Sequence, residues 1–399
     1  MSACAVINIP NPQLPDQVRG RALRVLVLTP FYPSAQDSSQ GSFISEPMRR
    51  MDRFGVAHEV FAVEPFYRTH SRPDDDSRAC WNRYFCIPGK LGLPLAGEFL
   101  AARIMPDVTR KHRSSPFDLI HAHAALPCGR AAAILSRRLQ LPFVVSVHGF
   151  DVFFARQTGP VLGKWCTRVA QQVYRSARRV ICISERVREQ VLQSTEANTS
   201  VVYNGVNNDL FFPDLQAETR PTVLSVGNLI PDKGHALLLR AFARVRQELP
   251  DCSLQIVGDG PERQNLAKLA VQIGINAQTY FHGRRSREFV AHAMQRCTVF
   301  ALPARYEGLG CVYLEAMSCA KPVIACSGQG IAELITHGVN GMLAAPEDQA
   351  ALELCLRMLL GNRALRQKIG ASARETILRA FTLDHHAEQM AGIYRECVA

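Results

Sequence analysis

The sequence predicts two doubly wound α/β domains in tandem, each a parallel sheet with helices on both faces. Three observations carry this. Short apolar, strand-like runs alternate with amphipathic helical stretches, the pattern of successive βαβ units. The alternation stops once, at Tyr203-Asn204-Gly205-Val206 and the FFPDLQAETRP stretch that follows, and then resumes. The chain has 399 residues, which at roughly 100–200 residues per domain suits two domains of similar size.

The elements follow in order. The first passage opens with the strand RVLVL (24–28), which runs into the loop TPFYPSAQDSSQGS and a helix over about 43–54. Strands are expected near 58–63, 118–121, 142–147 and 179–183, with helices between most of them, for example 129–139 and 163–176. Residues 68–94 are rich in Arg, Asp and Pro and read as a loop. In the second passage, strands fit 222–226, 253–257, 279–281, 298–302 and 322–325. Helices fit 235–248, 261–273, 286–296, 311–319, 349–360 and 364–379. The expected layout is a tail over 1–22, a first domain over 23–205 and a second over 206–383. A last helix over about 384–399 packs back on the first domain. In such folds ligands bind beyond the carboxyl ends of the strands, here in the cleft between the domains.

Composition excludes several classes. The hydrophobic fraction is 47 % and the charged fraction 20 %, ordinary for a soluble globular protein. No apolar run is long enough to span a bilayer. The first 20 residues hold Pro10, Asn11, Pro12, Pro15, Asp16 and Arg19 and lack the apolar core of a signal peptide. A cytoplasmic protein is expected. The 13 cysteines form no C-x-x-C pair, and several sit in apolar runs, which fits reduced, buried thiols. The net charge is +11, and +9 of it falls in residues 1–213. That bias suits a solvated basic surface or an anionic partner such as phospholipid headgroups. No helix-turn-helix, RNP-like run or interleaved basic–aromatic stretch points to nucleic acid.

The chemistry concentrates in ARYEGLGCVYLEAMSCAKPVIA, residues 304–325. Glu307 sits in a loop after an apolar strand. Gly308-Leu309-Gly310 then leads into a helix carrying Glu315. Free N–H groups at a helix start attract phosphate, and glycines allow close approach. A carboxylate one to two turns into that helix can accept bonds from two vicinal hydroxyls, as on a ribose. A carboxylate before the helix then lies near the other end of the same ligand. Two glutamates eight apart also occur on solvated helix faces, so the pair needs its context.

That context resembles a known family. The segment is similar to the E-x7-E signature of the retaining glycosyltransferases of family 4, which have the GT-B fold. SVGNLIPDKGHALLLRAFARV (225–245) resembles the first strand–loop–helix of that family's donor domain, and LQIVGDGPERQNL (254–266) the second. FHGRRSREFV and GIAELITHGVNGML follow in the family's order, and FYPSAQDSSQGSF, HAHAALPCGRAAA, PFVVSVHGFDVF, VICISE and VVYNGVNNDLF resemble its acceptor domain. The resemblance covers about residues 24–395. It implies a GT-B enzyme whose two Rossmann-like domains face each other across a cleft. The first would bind a saccharide or lipid-linked acceptor, and the second a nucleotide-diphosphate sugar. The implied reaction is a retaining hexosyl transfer in cell-envelope or exopolysaccharide synthesis, with no metal and no cofactor.

The resemblance also implies roles. Glu307 would hold sugar hydroxyls, Glu315 the ribose and Lys233 the diphosphate. His148, at a strand end, would contact the transferred sugar. Asp151, in the same turn, would orient it or receive the acceptor. Gly41 would close its loop over the donor phosphate through backbone N–H groups. Gly258 and Gly260 would line the nucleotide, and the backbone at Gly283 and Arg284 would meet the base. Gly308, Leu309 and Gly310 form the phosphate turn. Many relatives carry arginine where this chain has Asn228; Arg305 would either supply the missing charge or serve on the surface. His121 and His123 share a strand face but lack a third ligand at metal-binding spacing. A basic first domain with Phe31, Tyr32 and Phe66 in its loops suggests docking at the inner face of an anionic membrane. The alternative from another class is a sugar-nucleotide epimerase of the same architecture, which needs no acceptor.

Overall fold

β-Branched and leucine-rich runs, flanked by glycine and proline, become parallel strands here because helices cover both faces. The computed structural model describes residues 21–34, 40–68, 79–88, 91–149, 158–214 and 221–399. In the first sheet lie β1 (Leu23–Thr29), β2 (Val56–Pro65), β3 (Ala79–Tyr84), β4 (Leu119–His123), β5 (Phe143–Val147), β6 (Arg179–Cys182) and β7 (Thr199–Val201). Their spatial order is 3-2-1-4-5-6-7, and every pairing is parallel. The second sheet holds β8 (Thr222–Val226), β9 (Ser253–Val257), β10 (Thr279–Gly283), β11 (Val299–Ala301), β12 (Val323–Cys326) and β13 (Met342–Ala344). Its order is 10-9-8-11-12-13, again all parallel.

The covering helices of the first domain are α1 (Ser42–Met51), α2 (Ala96–Ser114), α3 (Arg130–Leu139), α4 (Pro160–Ser176) and α5 (Glu185–Ser194). Those that follow are α6 (His235–Arg246), α7 (Arg263–Gln272), α8 (Arg287–Arg296), α9 (Cys311–Ser318), α10 (Gln349–Gly361), α11 (Arg363–Ala380) and α12 (Leu383–Val398). In both sheets the winding reverses beside the first strand, between β1 and β4 and between β8 and β11. That reversal opens a crevice at the carboxyl ends of these strands, the usual ligand position in such sheets.

The chain crosses between the domains twice, and the crossings touch. Val206 N donates to Phe381 O at 2.9 Å and Leu383 N to Val206 O at 3.1 Å. After the second crossing α12 returns to the first sheet, where Ala387, Met390, Ala391 and Tyr394 join a core with Val25, Val27, Val60, Leu119 and Val144. The domains also meet through Glu333. Its carboxylate accepts from Glu185 N at 2.9 Å, Arg186 N at 2.8 Å and Tyr203 Oη at 2.9 Å. A carboxylate at the start of α5 satisfies otherwise open N–H groups and suits the helix dipole.

Residues 68–94 depart from the expected loop, because β3 lies there. It pairs only with β2, and within it only Asn82 and Tyr84 are buried. A short edge strand with a half-exposed pattern and charged flanks carries little apolar signal. The strands β7 and β13, of three residues each, escape notice because they are too short to show a period. The cysteines of the described residues are all free, and most are buried. Among those residues, no helix is long and apolar enough to cross a membrane.

Candidate active site

The crevice between the two sheets is a cleft of about 530 Å³. From the first domain it takes Phe31 and the Gln40–Phe43 turn at the start of α1. The second domain supplies the ends of β8, β9 and β11, the loop after β10, and the first residues of α9. Of the residues expected from sequence, Gly41, Asn228, Lys233, Gly258, Arg284, Glu307, Gly310 and Glu315 line it together.

Glu307 owes its position to backbone bonds. Its N–H donates to Gln329 Oε1 at 3.0 Å, and its carbonyl accepts from Gly330 N at 3.1 Å. Ser184, from the first domain, donates to Gly308 O at 2.6 Å. The loop is therefore gripped from both domains through its backbone, which leaves the carboxylate to face the cleft. Gly310 caps α9 at φ 85°, in the left-handed region. A Cβ there would fall 2.8 Å from Glu307 Cγ and 2.6 Å from the Tyr313 ring. Any residue but glycine would strain the turn and push Glu307 aside.

Lys233 ends a short turn, Pro231–Lys233, before α6. Arg305 N donates to Asp232 O at 2.8 Å, which ties this turn to the Glu307 loop. The Lys233 ammonium pairs with the Glu307 carboxylate, and both side chains are only 12 % exposed. The pair lies in a partly desolvated cleft, where removing one partner would leave the other buried without its counter-ion. Gly41, at φ 75°, starts α1, and a Cβ there would sit 2.5 Å from the Phe31 carbonyl carbon. Only glycine allows the loop and helix to approach so closely.

Glu315 is buried one turn into α9. Burial raises its pKa, and Arg287 opposes that shift. Arg287 Nη1 donates to Glu315 Oε1 at 2.9 Å. The same guanidinium reaches Glu46 on α1, with Nη2 donating to Oε2 at 3.1 Å and Nε 2.9 Å from Oε1. Burial opposes the Arg287 charge, but Glu315 and Glu46 outweigh it and its pKa is raised.

His148 follows β5. Its ring meets Phe31 and Phe43, which line the cleft, at centroid distances of 6.2 and 5.0 Å. Its Nε2 lies 3.1 Å from His123 Nδ1, and the two rings stack. His121 is occupied by the protein, with Nδ1 2.7 Å from Tyr394 Oη and Nε2 2.8 Å from Ser146 Oγ. His386 Nδ1 donates to Tyr203 O at 2.8 Å. Burial lowers the pKa of His148 to about 4, with His386 adding to the shift, and burial likewise lowers His121, His123 and His386. At neutral pH, His148 is therefore an uncharged imidazole.

Acid lability follows from these histidines. Between the unfolded pKa near 6.5 and the folded value, the unfolded chain binds more protons, so stability falls as pH drops. His148 and His235 both have pKa values lowered to about 4, chiefly by burial. Each should forfeit on the order of 3 kcal/mol by pH 4. Thermal melts are expected to be flat from pH 7 to 8 and to fall steeply below 6.5. A melting temperature unchanged between pH 7 and 5 would contradict buried neutral imidazoles.

Several sequence expectations need correction. Arg305 does not face the cleft; it points outward to Glu347 at 3.1 Å and Asp232 at 3.8 Å. It therefore does not replace the charge absent at Asn228. Arg284, Arg285 and Arg287 line the cleft instead. Gly260 packs on the Leu229 backbone, and Gly308 packs on the His148–Gly149 turn. Leu309 is wholly buried. These three support the cleft from behind. Tyr32 is buried and Phe31 faces the cleft, so neither presents an outward loop. Asp151 lies outside the described residues. The sequence reading missed Glu46, Arg285, Arg287 and Glu333. The GRRSRE run after β10 held a signal for the two arginines, whereas the carboxylates act across domains and leave no local pattern.

The comparisons agree with this architecture. The family described as "Glycosyltransferase Family 4" matches residues 40–210, and "Glycosyl transferases group 1" matches residues 207–376. The GDP-mannose-dependent alpha-(1-6)-phosphatidylinositol monomannoside mannosyltransferase of Mycolicibacterium smegmatis is 26 % identical, over 89 % of this chain and 94 % of its own. Sucrose-phosphate synthase from Thermosynechococcus elongatus superposes with a TM-score of 0.77 at 19 % identity, covering 94 % of this chain and 98 % of that one. The Anabaena protein HepE, crystallised with UDP and glucose, gives 0.72 at 22 % identity, covering 94 % and 100 %. An epimerase reading finds no support among these relatives. With two matched families that meet at the domain boundary and a fold shared along nearly its whole length, the chain belongs to the family 4 glycosyltransferases and is an enzyme of the GT-B architecture.

Proposed function

We propose that the protein transfers a hexosyl group from a nucleotide-diphosphate sugar to a saccharide or lipid-linked acceptor, with retention at the anomeric carbon. The observation that carries this reading is the joining of Lys233, Glu307 and Glu315 on one wall of the interdomain cleft. In this reading Lys233 takes the diphosphate, Glu307 the sugar hydroxyls and Glu315 the ribose. The UDP in the Anabaena relative supports a nucleotide donor. The bond from the anomeric carbon to the diphosphate oxygen breaks, and the acceptor oxygen bonds to that carbon on the same face. The departing diphosphate takes the acceptor proton. The protein positions the reactants and stabilises charge on the diphosphate. In this reading His148 contacts the transferred sugar as an uncharged imidazole, and no metal is needed. Proton NMR of the first product formed is expected to show the donor's anomeric configuration; the inverted anomer would sink the mechanism.

An apolar patch favours a peripheral membrane location for the same activity. Phe66 and Phe85 stack at 5.4 Å, and Phe85 meets Phe99 at 5.1 Å. They are 44 %, 54 % and 38 % exposed; Phe66 and Phe85 follow the carboxyl ends of β2 and β3, and Phe99 lies in the first turn of α2. Arg83 reaches the carbonyls of Phe66 and Arg68 beside them. Aromatic side chains flanked by cations suit an anionic headgroup layer. Vesicles containing phosphatidylglycerol are expected to float the protein at low salt, and Phe85→Asp to release it. Failure of the unaltered protein to float at low salt would remove this reading.

A further inference from the structure

Arg287 joins two carboxylates that the cleft would otherwise hold apart. Glu315 belongs to α9 of the second domain, and Glu46 belongs to α1 of the first. The guanidinium spans them with contacts of 2.9 Å to Glu315 and of 2.9 and 3.1 Å to Glu46. It also lies over the Phe211 ring, with its central carbon 5.1 Å from the centroid. All three charged side chains are largely buried, at 15 %, 7 % and 17 % exposure. A planar guanidinium that donates to one carboxylate through each terminal nitrogen fixes direction as well as charge, which an ammonium cannot do.

The link has a consequence for the donor. Gly41, at the start of α1, lines the cleft opposite Glu315. Glu46 sits one turn further along that helix and is absent from the cleft wall. Through Arg287, the orientation of the Glu315 carboxylate therefore depends on where α1 stands, and so on how the domains are aligned. We propose that Arg287 and Glu46 are positioning residues that set the Glu315 carboxylate for recognition of ribose hydroxyls, making that recognition conditional on domain alignment. The inference rests on the reading that Glu315 takes the ribose.

The test compares binding of a nucleoside diphosphate with that of its 2′-deoxy counterpart, by titration calorimetry on the full chain. Glu46→Gln keeps the size of the side chain and removes its charge; Arg287→Lys keeps the charge and removes the fork. The unaltered protein is expected to prefer the ribonucleotide by about tenfold or more, since a hydrogen-bonding site discriminates strongly against a missing hydroxyl. Both variants should cut that preference at least about fivefold while binding the deoxy form within about twofold of the unaltered protein. Simple loosening of the fold would weaken both ligands together and leave the ratio alone. If Glu315→Gln abolishes the preference and the other two variants leave it intact, the inference is overturned and the ribose assignment stands. If Glu315→Gln leaves the preference unchanged, both fall.

Discussion

Replacing Glu307 with glutamine is expected to lower turnover about 100- to 1,000-fold, the scale of losing one electrostatic contact made in the transition state. The substitution is nearly isosteric. The loop is held by the Glu307 backbone through Gln329 and Gly330, and by Ser184 on Gly308, so it should stay in place. What disappears is the charge beside Lys233 and the ability to accept from two hydroxyls at once. Steady-state kinetics with the true acceptor, alongside thermal melts, separate the two effects. A variant that melts normally but has lost turnover supports the role. Unchanged turnover would remove Glu307 from the chemistry.

Lys233→Met should cost about as much, and mostly in the donor's kcat/KM. Asn228 brings no charge to the phosphate end of the cleft, and Arg305 faces away. Arg287 is already shared by two carboxylates. Lys233 is therefore left with a larger share of diphosphate stabilisation than it would have beside a second cation. A fall of roughly 1,000-fold is expected, with partial recovery in Lys233→Arg, which keeps the charge. Initial rates across donor concentration check this; a fall below tenfold would mean that Arg284 or Arg285 carries the phosphate instead.

The fold was largely legible because a parallel sheet writes itself locally. Each strand buried on both faces is an apolar run, and each turn after it uses glycine or proline. Strand β3 escaped because its alternation is half exposed. The candidate site was legible where one segment carries several parts, as with Glu307, Gly310 and Glu315. It failed where distance in sequence hides proximity in space. Arg305 is two residues from Glu307, yet the strand-end geometry turns it outward. Arg287 is 28 residues from Glu315 and Glu46 is 241 from Arg287, yet the three form one cluster. The histidines showed the same limit. His121 and His123 were visible as a pair, but their burial and their contacts with Tyr394, Ser146 and His148 come from elements far apart in the chain.

The central claim is that this cleft holds a nucleoside diphosphate through Lys233. Thermal melts of the unaltered protein and Lys233→Met, with UDP, GDP and ADP, test it most directly. A nucleotide at about 100 times its Kd adds about 2.7 kcal/mol, or roughly 5–10 °C for domains of this size. Such a rise is expected for at least one of the three in the unaltered protein, and little or none in the variant. No rise with any of them, or equal rises in both proteins, would contradict the claim.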